Sequence, residues 1–186
     1  MTDEDRVNPF VIHGIIMWVV WTLLSFSQIA LNRYLKSRFW KKSHKYHILI
    51  GICMFILCTI MSLYALHSGD WKIDMNAHFY FAFPAFLGTA VVVLFGCLTK
   101  CNSLSGKWNT NKSLKMRKIH RFLGYLFIII GQGGIFTGIN KYCKHRDCRD
   151  YHLDYIQLAL FVVLMLLAEF LYQRFLQKEV VLCGSK

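Results

Sequence analysis

Four histidines, His13, His47, His78 and His120, each stand at or near the opening of a long stretch without charged residues. Neutral imidazole binds a metal through one ring nitrogen while the other holds a hydrogen bond. A chain that crosses a bilayer reverses direction with every span. Histidines at the starts of four consecutive spans therefore fall alternately at the two faces. His13 and His78 share one face, and His47 and His120 share the other. A pairing such as His13 with His47 would have to reach across the membrane and is excluded. Each remaining pair can hold one metal centre, and two centres at two depths make a path for electrons. Two imidazoles on one haem iron leave no open position for O₂, which suits electron transfer.

The faces that carry these histidines bear on the same chemistry. At about 100° per residue, positions i+4, i+7, i+11, i+14 and i+18 stay close to the face of residue i. From His120 that stripe reads Gly124, Phe127, Gly131, Gly134 and Gly138. From His78 it reads Ala82, Ala85, Thr89, Val92 and Gly96, and from His47 it reads Gly51, Met54, Cys58, Met61 and Ala65. Gly51, Ala82 and Gly124 lie one turn along from their histidines, where a flat macrocycle needs clearance, and Gly131 extends the clear strip. His13 departs, with Met17 at that place. Small residues on a helix face also mediate helix packing in membranes, so both readings stand. His44 shares a face with His47 and is its rival. His67, His145 and His152 lie at span ends or in loops and are expected to be solvated.

Helices long enough to cross a bilayer must position these groups. With 55% hydrophobic residues, the chain is not an ordinary soluble domain. Four uncharged gaps run from 7 to 32, 46 to 69, 75 to 99 and 122 to 140. About 20 apolar residues span the hydrocarbon core as a helix. A fifth segment, roughly 153 to 173, holds a single interior charge, Glu169, which either snorkels or meets a partner's cation. The expected fold is all-α, an integral membrane bundle of five transmembrane helices with a four-helix haem-binding core. Its parts are an exoplasmic tail (1–9), the di-haem core (10–141), an exoplasmic loop with the fifth helix (142–175) and a cytosolic tail (176–186). Pro9 suits a first helical turn, Pro84 should kink the third span, and Ser113 is the expected N-cap of the fourth. Trp18, Trp21, Phe39, Trp40, Trp71 and Tyr151 include interface anchors, with Trp40 and Trp71 best placed.

The net charge of +12 would suggest nucleic acid on a soluble surface, but here it is sorted by loop. The side opposite the N-terminus carries 16 Lys and Arg, and the N-terminal side carries 6. Basic residues accumulate on the cytoplasmic side, so the N-terminus is expected outside and the C-terminus in the cytosol, with no nucleic-acid partner. No secretory signal peptide is visible, and the first span is expected to act as its own insertion signal. Cys53, Cys58 and Cys97 fall within spans as small apolar residues. Cys101 and Cys183 fall on the cytosolic side. Cys143 and Cys148 share an exoplasmic loop around His145, open to either a disulfide or a metal site.

The first span reads His-Gly-Ile-Ile-Met-Trp and closes Asn-Arg-Tyr-Leu-Lys, from His13 to Lys36. The fourth reads Arg117-Lys-Ile-His-Arg-Phe-Leu-Gly-Tyr125, then Gly131 and Gly138. In these segments the chain resembles the cytochrome b561 family of transmembrane di-haem ferric reductases, over roughly residues 12 to 140. The resemblance implies two haem b groups, with His13 and His78 ligating one and His47 and His120 the other. It implies a cytosolic donor such as ascorbate and an exoplasmic acceptor such as ferric iron or monodehydroascorbate. Lys45, Arg117, Lys118 and Arg121 are the candidates for attracting an anionic donor, against the alternative that they only satisfy the charge bias of the loops. The alternative functions are a haem-binding subunit or anchor of a larger respiratory or reductase complex, or a haem-free structural membrane protein. The membrane could be the plasma membrane or an endomembrane, and a homodimer is compatible with all of these.

Overall fold

A computed structural model describes residues 9–34, 36–105, 110–146, 153–171 and 173. Among them the regular structure is helical: α1 (Pro9–Arg33), α2 (Lys36–Ser68), α3 (Ala77–Leu104), α4 (Thr110–Arg146) and α5 (Leu153–Leu171). A helix satisfies its backbone polar groups within its own segment, which hydrocarbon demands. Among the described residues four helices, α1 to α4, are long and apolar enough to cross a membrane. The expected fifth span is a shorter helix whose apolar stretch is Tyr155–Leu171.

The four long helices alternate in direction around a narrow core of Met17, Val20, Trp21, Met54, Cys58, Met61, Ala85 and Ile135. Large apolar side chains such as Ile15, Leu63, Phe122 and Ile129 point outward, the distribution expected where the surroundings are lipid. Trp21, grouped above with the interface residues, is instead 3% exposed at the centre of the bundle. Its indole occupies the space that a Cβ at Gly131 would need, with the nearest ring atom 2.1 Å from that position.

α1 is not uniform. Pro9–Trp18 and Ser25–Arg33 are α-helical, and Val19–Leu24 between them forms a π turn. The Trp21 carbonyl inside this turn accepts from the Ser25 hydroxyl and from the Gln132 side-chain amide of α4. Such turns open the helical ladder, and the freed carbonyl here has donors of its own.

α3 starts at an Asn76 cap, whose side-chain oxygen accepts from the Phe79 amide at 3.2 Å. Pro84 lies inside α3, which continues as helix on both sides. Ser113 is no N-cap: α4 begins at Thr110, which leaves Ser113 buried within the helix. Between α2 and α3 the backbone turns through left-handed φ at Asp70 (52°) and Trp71 (59°). The Trp71 amide donates to Leu66 at 2.8 Å and closes the turn.

α5 packs against α4 and the end of α1, and polar groups hold it at two levels. In the core, the Gln157 amide donates to Gln132 Oε1 at 2.7 Å and to Thr22 Oγ1 at 3.2 Å. At the other level Glu169 takes a fork from Arg33, with Nε at 2.9 Å and Nη2 at 3.1 Å, and also accepts from the Tyr34 hydroxyl. Glu169 therefore neither snorkels alone nor waits for another chain; its cation is Arg33 of the same molecule. The disulfide and metal alternatives around Cys143 depend on Cys148 and the His145 side chain, which lie outside the described residues, as do His152, Cys183 and both tails.

Candidate functional site

The bundle brings the four histidines together in two pairs, one at each end. His13 of α1 meets His78 of α3 with ring centroids 6.3 Å apart and planes at 87°. His47 of α2 meets His120 of α4, again at 6.3 Å, with planes at 80°. An imidazole nitrogen bonds its metal at about 2.0 Å and lies about 1.1 Å from its ring centre, so two rings clasping one metal in line have centroids about 6.2 Å apart. Edge-to-face contact gives similar spacings elsewhere in the chain, 6.2 Å at His67–Trp71, so what sets these two pairs apart is that each joins histidines of alternate spans at one end of the bundle. His44, the rival for the His47 position, is exposed, while the ring that meets His120 is that of His47.

The second nitrogen of each ring bears on which atom is free to bind. His13 Nδ1 hydrogen-bonds the Met61 carbonyl of α2 at 3.0 Å, and His78 Nδ1 the Gly134 carbonyl of α4 at 2.9 Å. A carbonyl can only accept, so Nδ1 carries the proton in both rings and Nε2 is left as the metal-binding atom. The His120 ring lies near the Val92 backbone of α3, and its Nδ1 has no hydrogen-bond partner among the described residues. Gln28 steadies His47 by a different route, donating from Nε2 to the His47 carbonyl at 2.9 Å.

One interval recurs. Met61 follows His47 by 14 residues on α2, Gly134 follows His120 by 14 on α4, and Val92 follows His78 by 14 on α3. At 1.5 Å per residue the two pairs therefore lie at levels about 21 Å apart along the bundle. Two sites at that separation span most of a hydrocarbon core of about 30 Å.

Two imidazoles alone do not complete the shell of a free ion, which takes four or more donors. Among the described residues no cluster of three or more His, Cys, Asp or Glu surrounds either pair. The donor set suits a metal that arrives with its equatorial ligands already in place, as in a macrocycle. The four small residues on the histidine faces divide on this point. Gly124 faces open space, where a Cβ would meet nothing within 4 Å. The space at Gly51 is taken by the Gln28 amide, Ala82 lies against Gly134, and Gly131 holds the Trp21 indole. Three of the four therefore serve packing.

Lys45, Arg117, Lys118 and Arg121 are all exposed near the His47–His120 end. Gln28, Gln132 and Gln157 join the bundle's polar contacts without belonging to the histidine pattern. Their signal was present, since amides within uncharged spans are costly in lipid unless they have a task.

The chain is 24% identical over 161 residues to a cytochrome b561, DM13 and DOMON domain-containing protein of Arabidopsis thaliana. The match covers 85% of this chain and 17% of the relative, so the chain spans about a sixth of that protein's length. No protein-family model matches the chain, and no solved structure matches it.

Proposed function

We propose that this chain carries electrons across a membrane through two b-type haems, one held by His13 and His78 and the other by His47 and His120. The observation that carries the reading is the meeting of four histidines from four apolar helices as two pairs, one at each end of the bundle. The distant relative named as a cytochrome b561 protein supports it. Haem iron, when bound, supplies reversible one-electron chemistry. The protein's part is to hold and insulate. Met61 and Gly134 fix the orientation and basicity of the two histidines through Nδ1. Met17, Met54, Cys58 and Met61 keep the space between the two levels apolar. Lys45, Arg117, Lys118 and Arg121 draw an anionic, ascorbate-like donor to one face. The concentration of basic residues on that face supports its placement in the cytosol. The acceptor on the far side is of the ferric-chelate or monodehydroascorbate class, which makes the protein a transmembrane reductase.

A second reading is a haem-binding subunit or anchor of a larger complex. It draws on the relative, whose name joins other domains to its cytochrome b561 part. Vesicles separate the two. The purified chain, reconstituted around trapped ascorbate, should show a six-coordinate b-type spectrum and reduce external ferricyanide unaided. A haem-loaded chain that fails to pass electrons favours the subunit reading, and a chain that takes up no haem ends both.

A further inference from the structure

We propose that Gly96 and Gly138 are positioning residues, each seating the imidazole of the paired histidine on the facing helix, Gly96 that of His120 and Gly138 that of His78. This rests on the haem reading above and identifies what sets the rings' orientation. His78 precedes Gly96 by 18 residues on α3, and His120 precedes Gly138 by 18 on α4. Because α3 and α4 run antiparallel, each glycine comes level with the opposite histidine. A Cβ at Gly138 would lie 3.1 Å from both Cε1 and Nδ1 of His78. A Cβ at Gly96 would lie 2.9 Å from Cε1 of His120. Among the described glycines, these two are the ones whose bare backbone faces a histidine. Gly88, Gly131 and Gly133 clear Phe127, Trp21 and Phe81 instead.

The His78 ring is held by its acceptor, and the His120 ring is the more closely crowded of the two. The Nδ1 bond of His78 goes to Gly134, one turn before Gly138, so a methyl group at 138 presses the ring edge away from its own acceptor. The His120 ring lies parallel to Phe95 at 6.5 Å and has Gly96 at its edge. A methyl group at 96 must tilt or lift it. Tilting an imidazole that would hold a haem iron would change its overlap with the metal and the electron density it donates, moving both spectrum and potential.

The test is redox titration and low-temperature electron paramagnetic resonance on haem-loaded Gly96→Ala, Gly138→Ala and Gly88→Ala chains. Signals are first assigned to sites with His120→Ala and His78→Ala. Gly96→Ala should displace the signal and midpoint potential of the His47–His120 haem alone, and Gly138→Ala those of the His13–His78 haem alone. The unmoved haem reports an intact fold in each case. Loss of only the facing haem supports the seat equally. Unchanged spectra and potentials in both variants would overturn it, as would joint displacement or loss of the two haems. Single-site shifts in Gly88→Ala, which crowds Phe127 on the same helix pair, would do so too. A wild-type chain without haem would instead sink the functional reading itself, a result distinguishable from failure of the seat.

Discussion

His47 and His120 stand edge to face, with ring centroids 6.3 Å apart, although 73 positions separate them in the chain. Removing one ring leaves its partner unable to hold a six-coordinate iron, while the pair about 21 Å away keeps both of its ligands. His120→Ala should therefore lower haem content from two groups toward one and preserve the spectrum of the His13–His78 site. Pyridine haemochrome analysis against protein concentration checks this. Equal loss of both groups from a folded chain would refute the pairing.

Trp21 and Gly131 are matched in shape, the indole lying where a methyl group would go. Gly131→Ala should destabilise the bundle by about 1–3 kcal/mol, the usual cost of overpacking. Trp21→Leu alone leaves a cavity. The double variant should cost clearly less than the sum of the two, because the smaller side chain yields the space that the methyl group needs. Thermal unfolding in detergent of the two single variants and the double variant measures the coupling. Simple additivity would show that the contact is not tight.

Gln28 donates to the His47 carbonyl and fills the space beside Gly51. Gln28→Leu keeps most of the volume and deletes the bond, a loss of about 1 kcal/mol. The expected outcome is faster loss of the His47–His120 haem to a haem scavenger, with the other site unaffected. No change in the release rate would make Gln28 a packing residue only.

The Arg33–Glu169 fork ties the end of α5 to the end of α1. Because it is partly open to solvent, its contribution is small and weakened by salt. Glu169→Gln should increase proteolytic cleavage near the end of α5 modestly and leave haem content as it was. The increase should shrink in high salt, where the wild-type pair is already screened. Haem loss in this variant would mean that α5 supports the core directly.

Exposed cations at the His47–His120 end should act on encounter rather than on chemistry. Lys45→Glu combined with Arg117→Glu should slow reduction by ascorbate several-fold at low ionic strength. The deficit should narrow as salt is added. Stopped-flow haem reduction provides the measurement, and a salt-independent deficit would argue against steering.

The uncharged gaps located the four long helices because hydrocarbon excludes charge whatever the tertiary detail. Alternation then grouped His13 with His78 and His47 with His120, a consequence of connectivity alone. What a face touches is another matter. Helical periodicity put Gly51, Ala82 and Gly124 beneath their histidines, but the rotation of each helix in the bundle decides which neighbour fills that space. Gln28 and Gly134 fill two of them. The same stripes ended in Gly96 and Gly138, whose contact with the opposite histidine depends on the register of two antiparallel helices. The burial of Trp21 involves a π turn that a 3.6-residue period does not represent. The Arg33–Glu169 pair closes over 136 positions, beyond any local pattern.

The widened turn at Val19–Leu24 carries a consequence for the length of the first span. An α-helix advances its side chains at a constant angle, and the opened turn interrupts that count once, between His13 on one flank and Gln28 on the other. The two flanks can thus face separate targets, Met61 and the His47 carbonyl, without either helix half being twisted. Trimming one amino acid from this turn would let it close as a regular α-helix of about the same net rotation, with both flanks still aimed as before. What the shortened rod would lose is the opened Trp21 carbonyl and with it the tie to Gln132.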